Sequence, residues 1–245
     1  MKTSVYADMH RYEELFWWHV GMKKISRTLL NTHLLSKKNL AILDVGCGTG
    51  GMFPLLREYG SIIGIDNAPE AVQYARERNL ATSVEEGDVQ KLPFQDNSFD
   101  LVVCYDVIYH TAIADDQAVL NECARVLRPG GTLLVRVAAF DWLRGKHDEL
   151  VATKHRYTRP EVEQKVTAAN LKLVKSTYAN FFLFPLAIVA RSLEALTHSG
   201  SEQAFKPPFI LNHVFKAVLF CEAFLLRFIS FPCGLSVITV ARKQP

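Results

Sequence analysis

The sequence has little that would place it in a membrane, on nucleic acid or in a disulfide framework. Its five cysteines (47, 104, 123, 221 and 233) are an odd number and form no CxxC pair. A disulfide scaffold and a structural zinc site are therefore not expected, and a reducing compartment is. The formal net charge is only +3 over 245 residues, with no basic stripe of the kind that tracks a phosphate backbone. The N-terminal segment Met1–Glu14 is polar and carries acids, which argues against a signal peptide. The uncharged apolar stretch Ala179–Ala190, interrupted by Pro185, is too short to span a bilayer. No internal repeat or low-complexity tract stands out. What the chain does have is 49% hydrophobic and 22% charged residues, enough to bury a sizeable core.

Along the chain, short apolar runs alternate with helical patterns. Residues 1–38 read as helical and aromatic-rich. Strands are expected at Asn39–Val45, Ser61–Ile65, Ser83–Glu86, Leu101–Cys104 and Thr132–Val137. Helices are expected at Pro54–Tyr59, Pro69–Arg78 and Asp116–Leu127, the last stopped by Pro129-Gly130-Gly131. A helix at Glu161–Ala169, a strand at Leu171–Tyr178 and a final strand at Leu235–Ala241 complete the pattern. Between those last two strands, 185–198 and 209–230 look helical, split by Lys206-Pro207-Pro208. Such alternation implies an α/β fold with a mostly parallel sheet covered on both faces, and a ligand crevice at the carboxyl ends of the strands. Asp44, Asp66, Asp88 and Cys104-Tyr105-Asp106 all fall at such ends.

The richest segment is Leu40–Gly51. Four apolar residues lead to Asp44 and then to Gly46, Gly48, Gly50 and Gly51. A turn this free of side chains lets backbone N–H groups approach a ligand. The spacing of Gly46, Gly48 and Gly51, with Asp66 some way on, also fits a dinucleotide site. Asp44 shifts the balance: an acid two residues before the first glycine would repel a pyrophosphate, but suits a ligand carrying an ammonium and a sulfonium.

Asp44-Val45-Gly46-Cys47-Gly48-Thr49-Gly50 resembles motif I of class I S-adenosylmethionine-dependent methyltransferases. Gly64-Ile65-Asp66, Gly87-Asp88-Val89, Phe99-Asp100-Leu101-Val102-Val103 and Arg125–Gly131 resemble later motifs of the ubiquinone/menaquinone-type, small-molecule branch, in order across residues 39–140. The resemblance implies a Rossmann-like seven-stranded sheet, S-adenosylmethionine as cofactor, S-adenosylhomocysteine as product, and no metal. It implies that Asp66 holds the ribose hydroxyls, that Asp88 and Val89 meet the adenine, and that Gly46 and Gly48 admit the methionine part. Asp44, Cys47, Gly50, Asn67, Cys104 and Tyr105 complete the expected cofactor set. The alternative for Asp66 and Asp88 is helix capping or turn formation.

Methyl transfer from a sulfonium relies on positioning, and needs a base only if the nucleophile arrives protonated. The candidates are His110, then Tyr105 and His147; His110 is preferred for its near-neutral pKa. Its alternative role is capping or packing. Acceptor-side candidates are Trp17, Trp18, His19, Tyr109, Arg136, His147, Arg156 and Tyr157. The run Phe16-Trp17-Trp18-His19-Val20-Gly21, the trio His155-Arg156-Tyr157 and Pro232-Cys233-Gly234-Leu235-Ser236 resemble a bacterial subgroup. Phe16, His19 and Met22 depart from that subgroup's pattern, so its substrate does not carry over. Core packing is the plain alternative for the two tryptophans.

The expected layout is therefore an N-terminal helical cap or lid (1–38), the cofactor-binding core (39–180), a phenylalanine-rich helical insertion (181–233) and a closing strand (234–245). So much apolar surface in the insertion must be covered. A lid over an apolar acceptor pocket or a homodimer contact is preferred, with peripheral contact at the inner membrane as the alternative. The function expected is methylation of an oxygen or nitrogen of an apolar or aromatic small molecule in cytoplasmic, specialised metabolism. A lipid-linked or isoprenoid acceptor and a non-catalytic cofactor binder are the rivals, and nucleic acid is not expected as a partner.

Overall fold

A computed structural model describes residues 3–35, 38–197 and 208–245. Lys206 and Pro207, read above as part of the break in the insertion, lie outside the described residues. Seven strands form one sheet: β1 (Leu40–Val45), β2 (Gly60–Asp66), β3 (Ser83–Glu86), β4 (Phe99–Tyr105), β5 (Leu127–Ala138), β6 (Leu171–Ala179) and β7 (Ser236–Lys243). Their order is β3-β2-β1-β4-β5-β7-β6, parallel except that β7 runs antiparallel between β5 and β6. The central strands are near-continuous apolar runs because both faces are covered. Ile42, Leu43, Leu101, Val102, Leu133 and Leu134 are fully buried.

The helices are α1 (Thr3–Tyr12), α2 (Trp17–His33), α3 (Phe53–Leu56), α4 (Pro69–Glu77), α5 (Asp116–Val126), α6 (Lys146–Leu150), α7 (Arg159–Ala168), α8 (Phe184–Thr197) and α9 (Phe209–Leu225). Local chemistry explains several of their ends. Asp115 caps α5 by accepting from the N–H groups of Gln117 and Ala118. Thr158 and Glu161 form a reciprocal capping box at α7. Strand order reverses at β1, whose neighbours are β2 and β4, so the crevice opens above the carboxyl ends of these three strands.

The structure corrects several expected boundaries. The helix expected to reach Tyr59 ends at Leu56, because β2 starts at Gly60 and the chain must turn back at once. Leu127–Gly131 is not a stop between helix and strand: Leu127 already pairs with Phe99, and β5 begins there. The segment after β5 holds a short 3-10 turn (Asp141–Leu143) and α6. The N-terminal region is two helices, broken at residues 13–16.

The insertion does not float free. A Cβ on Gly21 would lie 2.2 Å from Leu219 Cδ1, so only glycine lets α2 and α9 approach this closely. Glu222 of α9 is fully buried. Its carboxylate accepts the backbone N–H groups of Asn180, Phe181 (2.8 Å) and Phe182 (3.3 Å), which pins α9 to the end of β6.

Candidate active site

A cavity of about 1130 Å³ opens above the carboxyl ends of β1, β2 and β4 and runs beneath α1, α2 and α8. It has two continuous parts. The first is built by the turn after β1. Gly46, Gly48 and Gly50 all have positive φ (67°, 54° and 74°), and a side chain on Gly46 would meet Val107 at 2.3 Å. This turn is tied to β2 twice. The N–H groups of Gly46 and Cys47 reach Ile65 O, and Gly48 N–H donates to Asp66 Oδ2 at 2.8 Å. Asp66 Oδ1 accepts from Ala68 N–H at 3.0 Å, so each carboxylate oxygen keeps a further lone pair for a ligand. Burial raises the Asp66 pKa, opposed by these N–H groups.

Asp44 lies beneath the turn, 2% exposed, and its buried Oδ2 has no partner in the protein. Burial pushes its pKa up to about 8, with Asp66 adding to the shift. An unpaired buried carboxyl oxygen is costly, and a cationic ligand group is what would satisfy it. The donor set therefore fits S-adenosylmethionine: Asp44 for an ammonium, the glycine turn for close approach, and Asp66 for vicinal hydroxyls.

α1 closes this half from above, placing Tyr6, Met9 and Glu13 in the cavity wall. Glu13 is buried. It takes the Thr49 hydroxyl at 2.8 Å and an ion pair from Arg78, which also donates from Nε to Thr49 O at 2.6 Å. Lys23 Nζ donates to Glu13 O at 3.1 Å. This latch ties the helix pair to the glycine turn. The sequence reading missed it, since nothing local pairs a glutamate with an arginine 65 positions on.

The second half is lined by Trp17, Trp18, His19, Tyr105, Tyr109, Arg136, His147 and Arg156, together with Leu183 just before α8, Leu186 of α8 and Phe215 of α9. The α8 and α9 contributors had no sequence signal beyond general apolarity. Arg136 is sandwiched between the rings of Trp18 (5.0 Å) and Tyr105 (4.8 Å) and bound to Asp106, with Nε 2.8 Å from Oδ2. Arg156 grips Asp148 in a fork, at 2.7 and 3.0 Å. Both ion pairs are satisfied within the protein. Burial, followed by the charges of Arg136 and Lys23, lowers the His19 pKa to about 3, so this imidazole is neutral near neutral pH. Burial also keeps Tyr105 and Tyr109 protonated by raising their pKa values.

Four expected site residues are not brought to the cavity wall. Cys104 is fully buried, its thiol against Cys123. Tyr157 is also fully buried, and its hydroxyl donates to Asp116 Oδ2 (2.6 Å) with Ile108 O at 3.2 Å. Gly50 turns the chain behind the wall. Asp88 Oδ1 accepts from Gln90 N–H at 2.9 Å, the turn-forming alternative, and only its neighbour Val89 reaches the cavity. Asn67 and Cys47 do line it. His110 does too, but its Nδ1 accepts Ala112 N–H at 3.1 Å. The neutral ring then carries its hydrogen on Nε2, so it offers a donor where a base would need a lone pair.

Residues 43–135 match the family model described as a methyltransferase domain. A ubiquinone biosynthesis O-methyltransferase of Xanthomonas campestris is 38% identical over 100 residues, which is 38% of this chain and 41% of the relative. A sterol 24-C-methyltransferase of Kluyveromyces lactis is 33% identical over 136 residues, 52% of this chain and 35% of the relative. The matches thus span well under half of these relatives' own lengths. In structure, a chain of the complex between the Haloferax volcanii Trm112 methyltransferase activator and a methyltransferase superposes with a TM-score of 0.66 at 21% identity, covering 99% of this chain and 96% of that one. That likeness concerns the fold. The glycine turn, the strand order and the match over residues 43–135 together support a methyltransferase domain of the class I S-adenosylmethionine-dependent type in that part of the chain.

Proposed function

We propose that this protein transfers a methyl group to an oxygen or nitrogen of an apolar or aromatic small molecule. The carrying observation is the single cavity whose cofactor half ends in an unpaired buried carboxyl and whose acceptor half is walled by aromatic and aliphatic side chains. S-adenosylmethionine, when bound, supplies an electrophilic methyl on a sulfonium. Asp44, Asp66 and the turn at Gly46 and Gly48 hold and orient it, and α1, latched by Glu13, excludes water. The charged groups of the acceptor half are already paired, as Arg136 with Asp106 and Arg156 with Asp148, so the pocket favours a ligand without a compensating charge. His19 is a neutral group that can orient a hydroxyl or amine, and His147 stands near it. The nucleophile's proton leaves to water or to the His147 imidazole. The relative named an O-methyltransferase supports oxygen among the possible nucleophiles.

The test is incubation with methyl-labelled S-adenosylmethionine and an organic extract fractionated by polarity. Label should pass to an apolar fraction with stoichiometric S-adenosylhomocysteine. Tight cofactor binding with no transfer to any fraction would assign a non-catalytic binder, and absence of cofactor binding would overturn the reading altogether.

A further inference from the structure

The acceptor half of the cavity is walled by α8 and α9, whose opposite faces carry an unusual surface. On α9, Phe209, Phe220 and Phe224 recur at helical spacing, and Phe228 follows just past its end. Phe209 is 79% exposed and Phe228 70%. On α8, Leu186 and Val189 are more than half exposed, and Leu186 also lines the cavity. Exposed aromatics this dense on a folded surface mark a contact site.

The described charges beside these rings have one sign. Lys24 Nζ sits 5.7 Å from the centre of the Phe220 ring, and the Arg227 guanidinium 6.0 Å from that of Phe224. α2, which packs along α9, contains no acid. Among the described side chains of α2, α8 and α9, Glu222 is the only carboxylate, and it is buried on backbone N–H groups. A second copy of this chain is a poor occupant, because a two-fold contact through this face would bring Lys24 and Arg227 against cations, with no exposed acid among the described side chains of these helices to pair them. An anionic lipid surface fits on both counts: it solvates the phenylalanines in its acyl boundary and the Lys24 and Arg227 heads among its phosphates. No described helix is long and apolar enough to cross a membrane, so the element would lie in the interface plane.

We propose that the outer face of α8 and α9 docks on an anionic bilayer, which sets the Leu186 side of the acceptor cavity against the lipid. The docking face stands on its own surface chemistry, and its use in methyl transfer rests on the function proposed above. The test is co-sedimentation of the full chain with vesicles of phosphatidylcholine alone and of phosphatidylcholine mixed with phosphatidylglycerol. Binding should favour the mixed vesicles and weaken with salt. The triple variant Phe209→Ser, Phe224→Ser and Phe228→Ser should lose partitioning on the order of a hundredfold. Because these side chains are exposed, the variant should keep its thermal shift with S-adenosylhomocysteine, which separates lost docking from lost folding. If the chain ignores both vesicles while that thermal shift is intact, the proposal fails. A concentration-dependent dimer that the triple variant abolishes, without vesicle binding, would assign the face to a second copy and also overturn it. Vesicle binding without any cofactor response would leave docking standing and remove the catalytic reading instead.

Discussion

Asp44 gives the sharpest handle on the cofactor site, because its protonation must change when a cationic ligand arrives. In the free protein its carboxyl has a pKa of about 8, raised first by burial and then by Asp66. Near pH 7 it is then about 0.9 protonated. A ligand ammonium placed against the unpaired Oδ2 favours the carboxylate, so binding expels that proton. The ligand's own α-amine has a carboxylate beside it, which holds its pKa above the roughly 7.7–8.0 of a chain terminus, so it is already almost fully charged near pH 7. Net release should be about 0.9 proton near pH 7, approaching one near pH 6. Affinity for S-adenosylhomocysteine should therefore rise nearly tenfold between about pH 6 and 7 and level off above about pH 8, where Asp44 is already ionised. The sign for the free protein is opposite. A folded pKa raised above the ordinary 3.8 is a stabilising contribution present at low pH and lost as pH climbs towards 8. Calorimetric titration in two buffers of different ionisation enthalpy counts the proton directly. Asp44→Asn should remove the release and weaken binding by about ten- to a hundredfold, the worth of a hydrogen bond between charged partners. A wild-type protein that binds without releasing a proton, or an Asn variant with unchanged affinity, would refute this reasoning.

Three other perturbations probe the rest of the site. His19, with its pKa depressed to about 3, contributes stability that is complete above about pH 6.5 and is lost as pH falls, at up to roughly 1.4 kcal/mol per pH unit; His19→Gln should flatten that acid limb in thermal denaturation, and an unchanged limb would contradict the placement. Arg78→Ala leaves Glu13 buried without its cation, so stability should drop by about 3 kcal/mol and limited proteolysis should cut between α1 and α2; a variant as resistant as wild type would show that the latch does not hold the lid. His110→Ala should keep turnover within about tenfold, since loss of a true general base costs roughly a hundredfold or more; a larger loss at the chemical step would restore His110 as the base.

The central strands β1, β2 and β4 were legible because each is a short, largely apolar run ending at an acid or a glycine turn, and burial on both faces leaves few other readings. The Asp44 to Gly51 turn was legible for a related reason: its glycines are needed for backbone conformation, a requirement visible in one dimension. The role of Glu222 was not legible, because its carboxylate serves backbone N–H groups about forty residues away. Tyr157 was placed in the pocket by resemblance, but its hydroxyl is committed to Asp116 at the start of α5. The pairing of Glu13 with Arg78, and the entry of Phe215 and Leu186 into the cavity wall, depend on how elements far apart in the chain pack. Neither periodicity nor turn chemistry encodes that packing.

The central claim is that one cavity holds the cofactor against Asp44 and Asp66 and turns its sulfur towards the aromatic half. A crystal structure with S-adenosylhomocysteine tests this most directly. The account predicts the ligand amine on Asp44, the ribose hydroxyls on Asp66, and the sulfur facing the chamber bounded by Trp18 and His19. A ligand bound elsewhere, or seated with its amine away from Asp44 and its ribose away from Asp66, would contradict it.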